Sequence, residues 1–223
     1  MWRDALMVAG KDLRIELRSR VVLNQVAPFA VLVLLLFAFA LGPDRAPLAH
    51  AAPGLFWLAV LFAGLLAVQR SFSVEAGEGT RDVLRLSGLD PAGVFLGKAA
   101  AVGLQLLLLE VLLTAGVVVL FGSDIRSPGV LVAASALGTA GLAAVGILYG
   151  SLSAGLRVRE TLLPMLLLPV VAPVLLAGTR AWQVALGSAP KGSGDPWLGL
   201  LLVFAAVYLA LGVVIFGALQ EAS

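Results

Sequence analysis

The sequence predicts an all-α integral membrane protein: six transmembrane helices, an N-terminal interfacial amphipathic helix, and a short cytoplasmic helix between spans 2 and 3. Three observations predict it. Six long apolar runs alternate with short polar segments that hold almost every charge. Hydrophobic residues make up 61% of the chain, charged residues 13%, and the mean hydropathy is +1.05, well outside the composition of soluble domains. The apolar stretches are also continuous, whereas the strands of a membrane β-barrel would alternate apolar and polar over about 10 residues.

The first element is a helix over residues 1–20. Placed at 100° per residue, Trp2, Leu6, Ala9, Leu13 and Leu17 share one side while Asp4, Lys11, Arg14 and Arg18 lie opposite, the pattern of a helix lying along a bilayer surface with its basic face toward headgroups. Glu16 and Arg20, four apart, are spaced to pair. Residues 21–223 read as a single six-span domain, with spans at about 21–41, 51–69, 94–121, 129–154, 161–178 and 197–218. Each supplies the roughly 20 apolar residues that a crossing requires. The first span is expected to be retained, because its apolar run is too long for a signal-peptide core and the segment before it is too long and too charged.

Orientation follows from lysine and arginine, which concentrate in cytoplasmic segments. With the N-terminus inside, the inner segments hold eleven of the fifteen, and only Arg45, Arg126, Arg180 and Lys191 lie outside. Both termini are therefore expected in the cytoplasm. The net charge of +2 and a pI near 9.4 reflect this asymmetry and give no sign of a nucleic-acid partner.

The inner connection from Arg70 to Lys98 carries the most specific signals. Thr80 is placed to cap a short helix through Ser87, Gly88 to end it, and Asp90 with Pro91 to open the helix of the third span. A short transverse helix at this place either engages a cytosolic motor or merely closes the inner ends of two spans. Two motif resemblances in the loop fail. Gly93 to Lys98 has three residues between its glycines where a phosphate loop needs four, and Ala99 stands where that motif needs a hydroxyl. Leu86 to Asp90 resembles the start of an ATPase signature but lacks the second glycine, so ATP hydrolysis by this chain is not expected.

The later spans speak mainly of packing. Gly138, Gly141, Gly146 and Gly150, with Ser135 and Thr139, make the fourth span smooth enough for close helix contact. Pro164, Pro169 and Pro173 interrupt the hydrogen bonding of the fifth and predict a kink. Trp182 and Trp197 are expected in the outer headgroup belt, with a mobile segment between them.

Chemistry is sparse. The chain has no cysteine and one histidine, which removes disulfides, thiolate metal sites and thiol catalysis. His50, beside Arg45, reads better as a polar interfacial residue than as a haem ligand. Glu110 sits near the middle of the third span on a face shared with Gly103, Leu107, Thr114 and Val117. A charge at this depth costs about 2.5 to 3.5 kcal/mol, so it faces protein or water. It is either a pathway contact or a carboxyl hydrogen-bonded between helices. An intramembrane enzyme would need clustered catalytic groups, which the inventory does not supply.

Gly42-Pro43, Ala52-Pro53-Gly54, Trp57, Arg70-Ser71-Phe72, Gly79-Thr80 and Leu162-Leu163-Pro164, in that order and spacing, resemble the haem exporter protein B family, the six-span permease subunit of the exporter that serves cytochrome c maturation. One departure is Gln69, where the family often has an acidic residue before the arginine. The resemblance implies a non-catalytic subunit of the bacterial inner membrane that works with a separate ATP-binding cassette subunit. It also implies further cytochrome c maturation membrane subunits, a haem chaperone on the outer side, and haem as cargo with no cofactor held by this chain. A homodimer within the complex is expected because six spans make half a transport pathway. On that resemblance Glu75, Glu78, Gly79, Thr80, Arg81, Leu84 and Leu86 would contact the ATPase. The alternative is a permease of the wider exporter superfamily for lipid, drug or polysaccharide.

Overall fold

A computed structural model describes residues 1–19, 24, 26–40, 45–73, 88–153, 159–190 and 192–222. Among these the elements are all helices joined by turns and loops: α1 (Trp2–Ser19), α2 (Ala27–Ala40), α3 (Arg45–Ser73), α4 (Pro91–Phe121), α5 (Pro128–Ser153), α6 (Arg159–Ala185) and α7 (Asp195–Ala222). Five segments of the described residues are long and apolar enough to cross a membrane: Ala49–Ser73, Pro91–Phe121, Pro128–Ser153, Leu162–Ala185 and Asp195–Leu219. The first apolar run appears as the 14-residue α2. Gly42, Pro43 and the loop residues Glu75, Glu78, Gly79, Thr80, Arg81, Leu84 and Leu86 lie outside the described residues, as does the short helix expected from Thr80 to Ser87.

Local sequence explains where helices begin and end. Asp90 takes an extended backbone and accepts the Ala92 N–H at 3.2 Å, with Pro91 at the first helical position, as its sequence predicts. At the other end of α4, Gly122 adopts φ 60°, the left-handed conformation in which glycine closes helices. The proline-bearing α6 runs further than its hydropathy suggests, to Ala185 rather than residue 178. Its C-terminal end is tied to the loop before α5, where the N–H groups of Arg126 and Ser127 donate to the Ala185 carbonyl at 2.8 and 3.1 Å.

The core centres on α5, which packs against α3, α4, α6 and α7. Its small residues admit large side chains from several neighbours. Trp57 of α3 lies against Gly138 and, on its far side, against Gly178 of α6, so that a Cβ at either glycine would strike the indole. Phe204 of α7 lies over Gly141, Val68 over Gly146 and Phe72 over Gly150. The small residues expected to permit close approach therefore serve a seam within the chain.

One sequence expectation at the C-terminal end of α6 is corrected. Trp182 is fully buried and stacked on Phe56 with ring centroids 3.6 Å apart, so it belongs to the core and not to the headgroup belt. Hydropathy puts Trp182 outside only because the charge of Arg180 reads as the end of the span, whereas the helix continues to Ala185. At the start of the connection after it, the N–H groups of Ser188 and Ala189 donate to the Gln183 carbonyl at 2.8 and 3.2 Å. Outward-facing apolar side chains such as Phe39, Val119, Val203 and Val214 are 60–82% exposed, the condition of residues that meet lipid.

Candidate functional site

Helix α1 does not lie apart from the bundle. It packs along the start of α4, with Ala5 and Val8 buried between them. Gly93 and Gly97 permit this approach, since a Cβ there would lie 2.7 Å from the Met1 carbonyl oxygen and 2.6 Å from that of Ala5. At the joint's near end Asp4 accepts the Asp90 N–H at 3.4 Å. The helix therefore has three sides. One is docked on α4; one is apolar and exposed, with Trp2, Leu6 and Leu17; and one is basic.

The docked side continues into a cluster of opposite charges where α1 crosses the end of α3. The Arg70 Nε donates to Glu16 Oε2 at 3.1 Å. The Lys98 Nζ lies 3.6 Å from Asp12 Oδ2 and donates to the Ser71 hydroxyl at 3.3 Å and the Ser71 carbonyl at 3.5 Å. It also sits 5.2 Å from the centre of the Phe72 ring, within reach of a cation–π attraction. Lys11 holds the other oxygen of Asp12 at 3.0 Å. Lys98 is only 1% exposed, and a buried ammonium is tolerable only when paired and hydrogen-bonded. A cavity of about 30 Å³ lies at this junction, lined by Asp12, Glu16, Arg70, Ser71 and Gln105 among others.

Three helices thus meet through ionic contacts, two of them directly flanking residues 74–87. Arg70, Phe72 and Trp57 come from the family-resemblance set, and Arg70 joins the cluster itself. Gln69 stands where the family often has an acidic residue, and Glu16, 54 residues earlier, supplies a carboxylate to Arg70. The expected spacing partner Arg20 lies outside the described residues. Sequence reading missed Lys98 and Asp12. Lys98 was seen only as part of a failed phosphate-loop motif. The signal available was a lone cation inside the apolar start of a helix, together with Asp12 and Glu16 four apart on α1.

Glu110 lies apart from this cluster, within α4 and 2% exposed. The Thr139 hydroxyl of α5 donates to its Oε1, Ser135 faces the same carboxyl, and the Thr114 hydroxyl donates to its backbone carbonyl at 2.6 Å. Its helical face is turned to α5, with Gly103 and Val117 also buried. Pro53 is buried inside α3 and Gly54 exposed, while Pro164 lies within α6. His50 is exposed in the first turns of α3, and no group of three potential metal ligands occurs among the described residues.

Compared with known proteins, the sequence matches the CcmB protein family over residues 3–222. It is similar to heme exporter protein B of Paracoccus denitrificans, 32% identical over 212 residues that cover 93% of each chain. It is also similar to heme exporter protein B of Pseudomonas aeruginosa, 31% identical with 89% of each chain covered. The protein of that name in Escherichia coli K12 is 33% identical over 86% of this chain and 87% of its own.

Proposed function

Because this chain belongs to the CcmB protein family, we propose that it is the membrane-embedded permease subunit of an ABC-type haem exporter complex for cytochrome c biogenesis, with ATP hydrolysis on a separate partner subunit. The observation that carries this reading is the family match over residues 3–222. The coupling is mechanical: residues 74–87 connect the end of α3 to the start of α4, and both ends are clamped to α1 through Glu16–Arg70 and Asp12–Lys98. A push on that segment by an ATPase docked at Glu75, Glu78, Gly79, Thr80, Arg81, Leu84 and Leu86 would move three helices as one body.

In this reading the apolar run 21–41, which holds α2, is the first of six spans, and both termini face the cytoplasm of a bacterial inner membrane. The chain works as a homodimer beside other maturation subunits and an outer haem chaperone, and haem delivery or chaperone release is what ATP hydrolysis drives. Iron ligation is placed on other subunits in this reading, the chain offering one histidine, three methionines, two tyrosines and no cysteine. Glu110, hydrogen-bonded between α4 and α5, has a packing role.

The test is haem staining of c-type cytochromes on a denaturing gel, in cells lacking the gene and in the same cells complemented. Loss of covalent haem with b-type cytochromes intact, restored by the gene, is the expected result. Normal staining in the deletion strain, with no second copy of the gene, would overturn the assignment in favour of an exporter of another cargo.

A further inference from the structure

A groove of about 400 Å³ runs between α1 and the helices α4, α5 and α7, a volume in the range of small-molecule sites. Leu6 and Ala9 of α1, Ala100 and Gly103 of α4, and Thr139 and Ala140 of α5 are among its walls. Thr139 does not make the surface polar, since its hydroxyl is turned to Glu110. The groove thus presents a nearly continuous hydrocarbon lining, shaped by small side chains and open at the surface, and it fits an extended aliphatic chain rather than a polar ligand.

Leu6 also lines an adjoining hollow with Arg3, Arg14 and Arg18 on the basic side of α1. All three arginines are exposed. An apolar groove with cationic groups at its edge has the charge pattern of an anionic amphiphile. A second copy of this chain fits poorly. In a two-fold contact across this face, each α1 would bring the same three guanidinium groups toward its twin.

We propose that this groove binds one anionic phospholipid from the leaflet on the α1 side, with an acyl chain along Ala100, Gly103 and Ala140 and its phosphate at Arg3. The lipid would fill the space between α1 and the spanning helices.

The experiment is native mass spectrometry of the full-length protein in mild detergent with equal amounts of phosphatidylglycerol and phosphatidylethanolamine. The wild type is expected to keep one phosphatidylglycerol through washing, with a several-fold preference. Ala140→Leu, which narrows the groove, should lower retention of both lipids several-fold. Arg3→Gln should leave retention but remove the preference, and because Arg3 is exposed it decides alone if Ala140→Leu fails to fold. Equal retention of the two lipids by the wild type, or a preference unchanged in Arg3→Gln, would overturn the proposal. The chain has no cysteine, so Ala100→Cys provides a sole thiol. Disulfide-linked dimers of this variant in native membranes would place a second copy in the groove and also overturn the proposal, whereas a thiol that stays monomeric under oxidant supports it.

Discussion

Glu16 and Arg70 join α1 to α3 across 54 residues of sequence, and their value is measurable as a coupling rather than as two separate losses. Single changes Glu16→Gln and Arg70→Gln should destabilise by amounts that fail to add, with an interaction energy of about 0.5–2 kcal/mol in thermal unfolding of the purified protein. Arg70 is nearly one-third exposed, so solvent screening puts the value toward the lower end of that range. The reversed pair Glu16→Arg with Arg70→Glu should recover part of the loss, and strict additivity would show that the contact contributes nothing. Glu110 offers a sharper contrast between two changes at one hydrogen bond. Glu110→Gln keeps a carbonyl oxygen for the Thr139 hydroxyl and should be mild in both membrane level and activity. Thr139→Val removes the donor and leaves the carboxyl short of a partner, costing about 1–2 kcal/mol. If Glu110→Gln instead abolished activity at normal membrane levels, the residue would belong to a transport pathway.

Among the elements, α5 carries the packing, and its glycines are answerable to particular neighbours. Gly138→Ala drives a methyl into the Trp57 indole, an overpacking that should cost about 1–3 kcal/mol. Combining it with Trp57→Leu should recover part of the stability, because the smaller side chain makes room, and a double variant no better than Gly138→Ala would show that the glycine answers to something else. Helix boundaries were legible where a cap marks them: Asp90 and Pro91 open α4 in the sequence as in the structure. They were not legible at the C-terminal end of α6, because charge was read as the end of the span while tertiary packing of Trp182 on Phe56 carries the helix past Arg180. The apolar runs identified the membrane-spanning class, since length and hydropathy are properties of each segment alone. The charge cluster of Asp12, Glu16, Arg70 and Lys98 was not legible, because it depends on which helix crosses which. Periodicity separated α1 into apolar and basic sides but gave no sign that a third side, holding Asp4, Ala5, Val8 and Asp12, would be the docked one.

At the scale of the whole molecule, the contacts of α1 with Arg70 and Lys98 join the C-terminal end of α3 to the N-terminal part of α4, and in the proposed function these move together. Reversing charge at Glu78 and Arg81 together should weaken co-purification with an ATP-binding subunit several-fold without lowering the amount of this chain in the membrane, and unchanged recovery would remove the contact from that loop. The position of α5 has a further consequence for biogenesis. Chains are completed from the N-terminus at about 5–20 residues per second, so when α5 emerges, the side chains of α3 that fill Gly138, Gly146 and Gly150 have already been made. Phe204, which covers Gly141, arrives last, with α7. A nascent chain interrupted before Asp195 therefore carries a half-covered notch in its central helix, a feature by which a quality-control protease could distinguish an unfinished molecule from a finished one.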